Sequence, residues 1–503
     1  MILRGATAIV LLLTLLMTPI DTTDDLKGLG FPDSRKIAQD SQGNLYVAYR
    51  KKYRAADKLR YHIFVAKSAD QGATWQTLND AGPIENVGDY TQRVPSIAID
   101  SRDNIHVAWY GLDAEQGTNE REIKYVRSVD GGESWTDWQN IVEAPDYSGG
   151  TLWQEHPVLH VGLDNTLYLV WQGKDATYQA KSQTKFSKSS DGGKSWTIWR
   201  NIQPNEQHNY SRPTLVSTTD GVLYVIAYGG VDGEQRLVWT TSTDGGESWA
   251  VWTAVSTGTA DQRHVSLIAD ADNTLHAVWR QQPEGANTAP QIHYATFDGT
   301  AWGAPQLVSP QIALSQFFPS ISQTTTGQLW VAWTETAAES GFLQNGFREN
   351  PTTGDIVVAF IGENGRFRPP VPLTNNNHSL YATLPWSHHH DVNRDIIWSE
   401  NSQAPYTIQH QRLICTPTTA TNSQLSFHET ELELSWASSE AAHSYEIWQA
   451  ASLAFTEAEF VAETADLSIR IPLSPGTIFY QVRPVNRCGE VGNASNTVGK
   501  FDL

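Results

Sequence analysis

The sequence predicts an all-β protein: a seven-bladed β-propeller, with six blades as the alternative, followed by a small β-sandwich. Two observations lead to this fold class. One eleven-residue segment appears three times almost unchanged, and short strand-like runs ending in an aromatic residue recur at a nearly constant spacing. Such internal periods are typical of repeat architectures. The 37 Gly, 19 Trp and 18 Tyr residues suit many tight turns and aromatic-rich strands.

The strand-like runs are interpreted as the second strands of the repeat, and their ends lie 51 to 65 residues apart. Around each run the pattern reads as an inner strand, a turn, the second strand, a longer loop and a hairpin. Four short strands at this period describe a propeller blade. The seven ends are VAY (47–49), VAW (107–109), LVW (169–171), IAY (226–228), AVW (277–279), VAW (331–333) and IIW (396–398).

The propeller is predicted to span residues 31–414. Its seventh unit reaches Cys415 after only three strands. We therefore expect residues 22–30 to supply the missing outer strand and to cover an otherwise exposed sheet edge.

The eleven-residue segments, here called box segments, are predicted to form hairpins between third and fourth strands. Their glycines allow left-handed backbone angles, their Asp and Ser side chains bond the turn, and their Trp covers the hydrophobic layer. A calcium loop is disfavoured because alternating carboxylates and a terminal Glu are missing. The segments are SADQGATWQTL (68–78), SVDGGESWTDW (128–138), SSDGGKSWTIW (189–199), STDGGESWAVW (242–252) and a degenerate ATFDGTAWGAP (295–305). The expected structural residues are Asp130, Trp135, Asp191, Trp196, Asp244 and Trp249.

The box segments resemble the Asp-box, or bacterial neuraminidase, repeat S-x-D-x-G-x-[ST]-W of the sialidase superfamily of β-propellers. The resemblance covers about residues 31–414 and implies the fold more strongly than an activity, because the repeat also occurs in non-catalytic propellers and in other glycosidases.

The composition and the N-terminal segment limit the partners and the location that can be expected for the protein. The formal charge of −20, from 35 basic and 55 acidic residues, argues against nucleic acid or an anionic membrane as partner. Residues 1–20 contain an apolar run and are predicted to be a signal peptide, with an uncleaved anchor as the alternative. The mature chain is expected to lack a transmembrane span, to be a monomer, and to be secreted or displayed on the cell surface.

The C-terminal segment, residues 415–503, carries no box segment and alternates with period two. It resembles a fibronectin type III sandwich with Trp436 in its core. An even pair of cysteines in an exported chain suggests one disulfide between Cys415 and Cys488, with two inert thiols as the alternative.

Three arginines stand where inner strands begin, on the face of a propeller where loops converge. Arg93, in Arg-Val-Pro, resembles the Arg-hydrophobic-Pro motif of sialidases, and Arg212 and Arg263 hold comparable places. The resemblance implies a clamp in which three arginines bind the substrate carboxylate through bidentate bonds. The sequence departs from the family in two ways, since one box segment precedes Arg93 and the family propeller normally has six blades. The alternative is that these arginines pair with carboxylates of neighbouring loops.

Several side chains are candidates for general acid or nucleophile. Asp113 follows a second strand in a [WY]-x-G-x-D pattern that recurs at Asp175 and Asp232, and the alternative is that Gly-x-Asp only makes the turn. The resemblance implies a Tyr activated by Glu, for which Tyr294 is the candidate, although Tyr125 fills the same strand position. Glu335 and Glu400 hold places comparable to Asp113.

Trp153 and Trp386 fall outside the regular Trp positions and are expected either to stack on sugars or to fill gaps between blades. The run SHHHD (387–391) is interpreted as a solvated turn and not as a metal site. No cofactor and no metal are expected.

The predicted function is that of a secreted, glycan-directed, sialidase-like propeller that hydrolyses terminal sialic acids or related acidic sugars, as a glycoside hydrolase of exo-sialidase type. The alternative is a non-catalytic propeller that binds an extracellular carbohydrate or protein, or serves in adhesion. Whether the protein is an enzyme is left open by the sequence.

Overall fold

A computed structural model describes the chain from residue 17 to residue 500 with internal gaps. The residues outside the description are 1–16, 26, 114–120, 143–151, 232–233, 259, 283–288, 310–313, 325–326, 338–350, 352, 363–364, 386–393, 401, 414–421, 428–430, 440–441, 456, 474, 487 and 501–503. The described residues form strands, turns and loops but no helix, and hence no helix that could cross a membrane.

Seven four-stranded antiparallel sheets follow one another along the chain, which confirms the predicted all-β propeller class. In sheets 1 to 6 the four strands are consecutive in sequence and adjacent in space. We interpret each of these sheets as one blade, and the number of seven blades stays a prediction.

The first three sheets have the following strands. Sheet 1 contains β2 (Ile37–Gln39), β3 (Leu45–Arg54), β4 (Leu59–Ser68) and β5 (Gln76–Thr77); sheet 2 contains β6 (Gln92–Ile99), β7 (Ile105–Gly111), β8 (Glu122–Ser128) and β9 (Gln139–Asn140); sheet 3 contains β10 (Trp153–Val161), β11 (Leu167–Lys174), β12 (Gln183–Ser189) and β13 (Arg200–Asn201).

The next three sheets repeat this order. Sheet 4 contains β14 (Tyr210–Ser217), β15 (Leu223–Val231), β16 (Glu234–Ser242) and β17 (Thr253–Ala254); sheet 5 contains β18 (Asp261–Ala269), β19 (Leu275–Gln282), β20 (Gln291–Phe297) and β21 (Gln306–Leu307); sheet 6 contains β22 (Leu314–Gln323), β23 (Leu329–Ala337), β24 (Asp355–Phe360) and β25 (Val371–Pro372).

Sheet 7 joins the two ends of the propeller. It contains β26 (Ser379–Thr383), β27 (Asp395–Glu400), β28 (Tyr406–Arg412) and, beside β28, the N-terminal strand β1 (Thr18–Thr23). The N-terminal segment therefore supplies the fourth strand as expected, but with residues 18–23 instead of 22–30. The strand begins inside the segment 1–20 that was predicted to be a signal peptide.

Sheet 1 packs directly on sheet 7. Val47 and Phe64 of sheet 1 share a buried cluster with Ile397 and Ile408 of sheet 7, and Ile20 of β1 joins the same cluster. The Trp75 and His410 rings are 5.3 Å apart across this junction. Ring closure thus rests on ordinary apolar packing as well as on the strand pairing of β1 with β28.

The box segments connect third and fourth strands, and each is fixed by the same hydrogen bonds. In segment 128–138, the Ser128 hydroxyl donates to Asp130 Oδ1 at 2.7 Å, and the Ser134 amide donates to the same oxygen at 3.0 Å. Although burial acts to raise it, these bonds lower the pKa of Asp130 to about 2. The corresponding atoms of Asp191 and Asp244 make the same bonds.

Each box segment also contacts the preceding sheet. The second glycine has a positive φ, and a Cβ added at Gly193 would lie 1.8 Å from Tyr125 Oη of sheet 2. Trp196 packs edge-on to the same Tyr125 at 5.1 Å, and Trp249 packs on Phe186 of sheet 3 at 5.3 Å. Trp135 packs against a cluster that contains Leu78 of sheet 1. The box segments therefore join neighbouring sheets at the end opposite the candidate site.

The C-terminal segment forms two sheets around a core that contains Trp436. One sheet contains β29 (Ser423–Phe427), β30 (Glu431–Trp436) and β33 (Ser468–Pro472); the other contains β31 (Ala442–Ala450), β32 (Glu459–Thr464), β34 (Ile478–Asn486) and β35 (Val498–Lys500). A fibronectin type III assignment stays a prediction.

The C-terminal segment is joined to sheets 6 and 7 by buried contacts. The Arg368 guanidinium is 2.7 Å from Glu446 and 3.2 Å from Glu463. Cys488 is buried in a cluster with propeller residues and is disulfide-bonded, and the only other cysteine of the sequence, Cys415, lies outside the described residues.

Candidate functional site

The upper face of the propeller is the end where inner strands begin and second strands finish. Six of the seven inner strands carry an irregularity in their pairing near this face, and each contains a non-glycine residue with positive φ. Positive φ is unfavourable for a residue with a Cβ, so it persists only where the surrounding contacts enforce it. The six residues are Val94, His156, Arg212, His264, Phe318 and Tyr381.

Phe31 occupies the centre onto which these side chains converge. Its ring is 5.8 Å from the His156 ring, 5.9 Å from His264 and 5.7 Å from Phe318. Tyr381 meets it edge-on at 6.0 Å. Phe31 belongs to the segment between β1 and β2, so the chain fills the centre of its own upper face with an aromatic side chain.

Arg212, the second predicted clamp residue, lies over the ring of Phe31. Its guanidinium carbon is 4.1 Å from the ring centroid, within the range of a cation–π contact. Its Nη1 is 3.9 Å from Asp33, which is also buried. Arg212 is therefore held by residues of the N-terminal segment.

The two histidines of this centre are neutral. Burial lowers the pKa of His156 and of His264 well below the ordinary value, and the nearby arginine charges lower both further. Each imidazole therefore keeps one free lone pair at neutral pH, as a hydrogen-bond acceptor or a base requires.

Arg93, the first predicted clamp residue, is exposed beside this centre. Among the described residues no carboxylate pairs with it. The neighbouring Arg121 forms an ion pair with Glu155, and the ring of Tyr110 lies 5.5 Å from that of His156. The pKa of Arg121 is lowered by burial, raised by Tyr110 and lowered again by Arg93. These five side chains form what we call the Arg93 cluster: Arg93, Tyr110, Arg121, Glu155 and His156.

Arg263, the third predicted clamp residue, pairs with a carboxylate of its own strand. Its Nε is 2.9 Å and its Nη2 is 3.0 Å from the two oxygens of Asp261. Arg280 lies 3.8 Å from the same carboxylate. The structure thus places the three arginines in three settings, one exposed, one stacked on Phe31 and one in a bidentate ion pair.

Asp113, the predicted acid, faces a buried lysine. Lys124 Nζ is 2.7 Å from Asp113 Oδ2, and Asn140 Nδ2 donates to the same oxygen at 2.9 Å. Although burial acts to raise it, these bonds lower the pKa of Asp113. Asp175 of sheet 3 makes the same contacts with Lys185 and Asn201. Asp175 also accepts the backbone amides of Thr177 and Tyr178, as the turn alternative requires, whereas residues 114–120 after Asp113 lie outside the described part of the chain. Asp232 lies outside the described residues.

Glu122 is the acidic group that sequence reasoning missed. Burial, and then its hydrogen bond with Asp113, raise the pKa of Glu122 to about 7, while the Lys124 charge acts to lower it. The signal in the sequence was a Glu that opens the third strand of sheet 2, whereas sheet 3 has Gln183 at this position.

The remaining candidates lie in regular structural positions. The Tyr294 hydroxyl bonds His276 Nδ1 at 2.7 Å, as Tyr125 bonds His106 at 2.7 Å. His276 in turn lies 3.0 Å from Asp270, in the turn at the lower end of sheet 5. Tyr294 is therefore directed away from the three arginines.

Glu335 accepts a hydrogen bond from the Trp333 indole at 3.4 Å, and Glu400 accepts one from Trp398 at 3.3 Å. The Trp109 indole donates to Gln92 Oε1 in the same way at 2.8 Å. Trp153 is half-buried at the start of β10. Trp386 and the run 387–391 lie outside the described residues.

A second missed feature is a basic hairpin. The strands β3 and β4 extend beyond the upper face, and the run RKKYRAADKLR (50–60) contains six of the 35 basic residues with one acidic residue. The sequence shows this feature as the strongest local excess of positive charge in a chain of net charge −20.

Comparison with known proteins supports the fold described above. A family model described as a BNR repeat-like domain matches residues 103–382. An ulvan lyase, described as a new family of polysaccharide lyase, superposes with a TM-score of 0.57 at 12% identity, over 78% of this chain and 94% of that chain. The ulvan lyase bound to a GlcA(1-4)Rha3S saccharide superposes with a TM-score of 0.56 over the same shares.

The leech intramolecular trans-sialidase with 2,7-anhydro-Neu5Ac gives a TM-score of 0.45 at 11% identity, over 79% of this chain and 91% of that chain. No curated protein gives a significant match. At these identities the structural likeness concerns the fold alone, and the family match confirms the resemblance stated from the box segments.

Proposed function

Given that the chain belongs to the BNR repeat-like domain family, we propose that it binds an acidic glycan on its upper face, with Arg93 as the residue that receives a sugar carboxylate. One observation carries the proposal: Arg93 is exposed, and no carboxylate of the described residues pairs with it. An unpaired guanidinium presents a planar fork of donors that matches a carboxylate.

The surroundings of Arg93 support a sugar as the ligand. The Tyr110 and His156 rings offer apolar faces with polar edges, which suit a pyranose ring. The net charge of −20 repels anions at long range, so selection of an acidic glycan rests on this local contact. Among proteins of the same fold, the ulvan lyase was captured with a saccharide that contains glucuronic acid and a sulfate.

Hydrolysis of terminal sialic acids is the narrower form of this proposal, and the geometry gives it less support. It needs three arginines around one carboxylate, whereas Arg263 is engaged by Asp261 and Arg212 by Phe31. It also needs a tyrosine nucleophile near them, whereas the Tyr294 hydroxyl bonds His276.

A second candidate activity is β-elimination on a uronic acid polymer. In that reaction a base takes the proton on the carbon beside the carboxylate, a carbon–carbon double bond forms, and the glycosidic oxygen leaves and takes up a proton. The reaction needs a neutralised carboxylate and a base in its unprotonated form. The observation that favours it is the neutral His156 beside Tyr110 in the Arg93 cluster.

An extracellular location is part of the proposal. The disulfide-bonded Cys488 supports it, because disulfides persist in oxidising compartments.

The test is binding of glucuronate and sialyl oligosaccharides by calorimetry, with neutral oligosaccharides of equal length as reference. Arg93→Ala should weaken binding of the acidic sugars roughly tenfold or more, since a hydrogen bond to a charged group contributes about 1.5–3 kcal/mol. Arg93→Lys should restore it only in part, because an ammonium lacks the planar fork.

Arg102→Ala is the matched control, since Arg102 is exposed at the lower end of the same sheet. Ultraviolet absorbance of an unsaturated uronate would reveal elimination, and release of free sialic acid would reveal hydrolysis. Equal binding of acidic sugars by Arg93→Ala and the parent would show that the proposed site is wrong.

A further inference from the structure

The hairpin of β3 and β4 is longer than its counterparts and projects from the upper face beside the Arg93 cluster. Its strands pair continuously from Leu45–Ser68 to Arg54–Leu59, whereas the second strand of sheet 2 ends at Gly111 after seven residues. The tip, residues 53–59, is exposed. The tip therefore contributes little to the core and is available to a ligand.

Lys52 and Arg54 lie on the hairpin face that includes Tyr61. Lys52 pairs with Tyr61 in the strand register and Arg54 pairs with Leu59, so the side chains of these four residues share one face. Lys52 Nζ is 5.6 Å from the centroid of the Tyr61 ring. Two residues along a strand separate the two cations by about 7 Å.

The Tyr61 face begins at Arg50, two residues before Lys52 on β3. The guanidinium of Arg50 is 5.4 Å from the Tyr61 ring on the side of the propeller. Burial raises the pKa of Tyr61, and the charges of Asp25, Arg50, Asp24 and, least of these, Arg93 also act on it. Outward along β3 the cations of this face are Arg50, Lys52 and Arg54, and Tyr61 lies level with Lys52.

The acidic groups around the hairpin mostly bind hairpin groups other than the side chains of Lys52 and Arg54. Asp25 pairs with Arg50, Asp21 pairs with Lys51, and Asp89 accepts the backbone amides of Asp57 and Lys58. Asp24 is exposed at the base of the Tyr61 face. Within the described part of the chain, no carboxylate pairs with Lys52, Arg54 or Arg60, and the latter two bond only backbone carbonyls of the hairpin.

We propose that the Tyr61 face of this hairpin, with Lys52 and Arg54, is an extended binding site for further acidic units of a polyanionic glycan whose first carboxylate is bound at Arg93. The inference rests on the proposed function for the choice of glycan. Cations spaced along a projecting strand, with an aromatic ring beside them, fit a chain that bears a charge on successive sugars. A short acidic sugar bound at Arg93 would not reach them.

The experiment compares a short glucuronate oligosaccharide with long polyglucuronate, using neutral dextran as reference. The double variant Lys52→Gln/Arg54→Gln should bind polyglucuronate about fivefold more weakly than the parent, as expected for two solvated ion pairs. It should bind the short oligosaccharide as the parent does. The loss should shrink as salt is added, because exposed charges are screened.

The matched control is Arg102→Gln/Lys194→Gln, which removes two exposed charges at the other end of the propeller. This control should bind both probes as the parent does. Arg60→Gln tests the face itself, since Arg60 pairs with Tyr53 on the other side of the hairpin and should matter less.

The outcomes separate the two proposals. If the hairpin variant binds polyglucuronate as well as the parent, the extended site is wrong while binding at Arg93 can stand. If Arg93→Ala leaves all binding intact but the hairpin variant loses polyglucuronate, the hairpin is a glycan site and the Arg93 proposal is wrong. If the parent binds neither probe, both proposals are wrong. Binding of phosphatidylserine vesicles through the hairpin, without polyglucuronate binding, would assign the surface to a membrane and overturn the inference.

Discussion

Sheets 2 and 3 hold the same buried lysine in nearly the same surroundings but differ in one carboxyl group. Lys124 and Lys185 each contact an aspartate, an asparagine at 2.7 Å and a tryptophan ring at 4.5 or 4.3 Å. Sheet 2 adds Glu122, and sheet 3 has Gln183 instead. Gln183 donates its amide to the Asn205 carbonyl at 2.9 Å and carries no charge.

Because of this difference, the shifted pKa belongs to a lysine in sheet 3 and to a carboxyl group in sheet 2. In sheet 3, burial lowers the pKa of Lys185 to about 8, although Asp175 acts to raise it. In sheet 2, the pKa of Glu122 is raised to about 7. Two copies of one structural unit therefore respond to pH in opposite ways, and the copy with the shifted carboxyl adjoins the Arg93 cluster.

The largest effect is expected from removing these lysines. Lys185→Met should lower the free energy of unfolding by about 3–5 kcal/mol at neutral pH, because the buried Asp175 loses its partner. Lys124→Met should cost less, because Asp113 is half-buried. Lys124→Met should also recover more of its loss on mild acidification, because Glu122 and Asp113 can share one proton. Chemical unfolding at two pH values measures both, and identical pH responses of the two variants would contradict the comparison.

A smaller effect is expected from the glycines that fit each box segment to the preceding sheet. Gly193→Ala should lower the free energy of unfolding by roughly 2–4 kcal/mol, from positive φ and a clash with Tyr125. Gly132→Ala should be less harmful, because its Cβ would meet Leu78 Cδ1, the end of a flexible side chain, at 2.3 Å. Thermal unfolding of the two variants tests the order, and a greater loss for Gly132→Ala would reverse our interpretation of this contact.

The pH response of Glu122 is a smaller effect again and sharpens the comparison most. The folded protein holds the Glu122 proton more tightly than the unfolded chain, so its contribution to stability falls as pH rises from about 4.5 to about 7. Glu122→Gln should remove this fall, which the full shift would make about 3.4 kcal/mol and which partial solvation of the carboxyl group reduces to on the order of 2 kcal/mol. Gln183→Glu should introduce a similar fall in sheet 3.

Lys185 predicts the opposite slope at higher pH. Since its folded pKa of about 8 lies below the ordinary 10.5, stability should rise with pH between these values. The measurement is the unfolding free energy of the parent and of Lys185→Met across that range. An unfolding free energy of the parent that does not change with pH in this range would contradict the lowered pKa of Lys185.

Much of the fold was predictable because its determinants are local. The box segments carry their own turn bonds, as Asp130 shows, and the alternation of the strands places their apolar sides without reference to distant residues. The closing strand was expected from the missing edge partner of sheet 7, but its position was not, because residues 18–23 and 22–30 are both short and polar enough for an edge.

The site was harder to predict because its partners come from distant parts of the chain. Arg212 and Phe31 are far apart in sequence, and nothing periodic marks Phe31 as the residue at the centre. Arg263 pairs with Asp261 of its own strand, whereas the alternative to a clamp that the sequence predicts involves carboxylates of neighbouring loops. The hairpin at 50–60 was readable from its charge alone, without knowledge of its neighbours.

The pairing of β1 with β28 also governs when the ring can be completed during biosynthesis. Thr18 lies opposite His410. Strand β1, the first described strand of the chain, can therefore pair only after β28, the last strand of the propeller, has been made. Sheets 1 to 6 use consecutive strands and can form hairpin by hairpin as the chain emerges, whereas sheet 7 needs the two ends brought together. The entropy of closing so long a loop grows only with the logarithm of its length. Late closure therefore slows folding but costs little folding free energy. Until β1 pairs with it, the uncovered edge of β28 is the surface most open to wrong strand pairing.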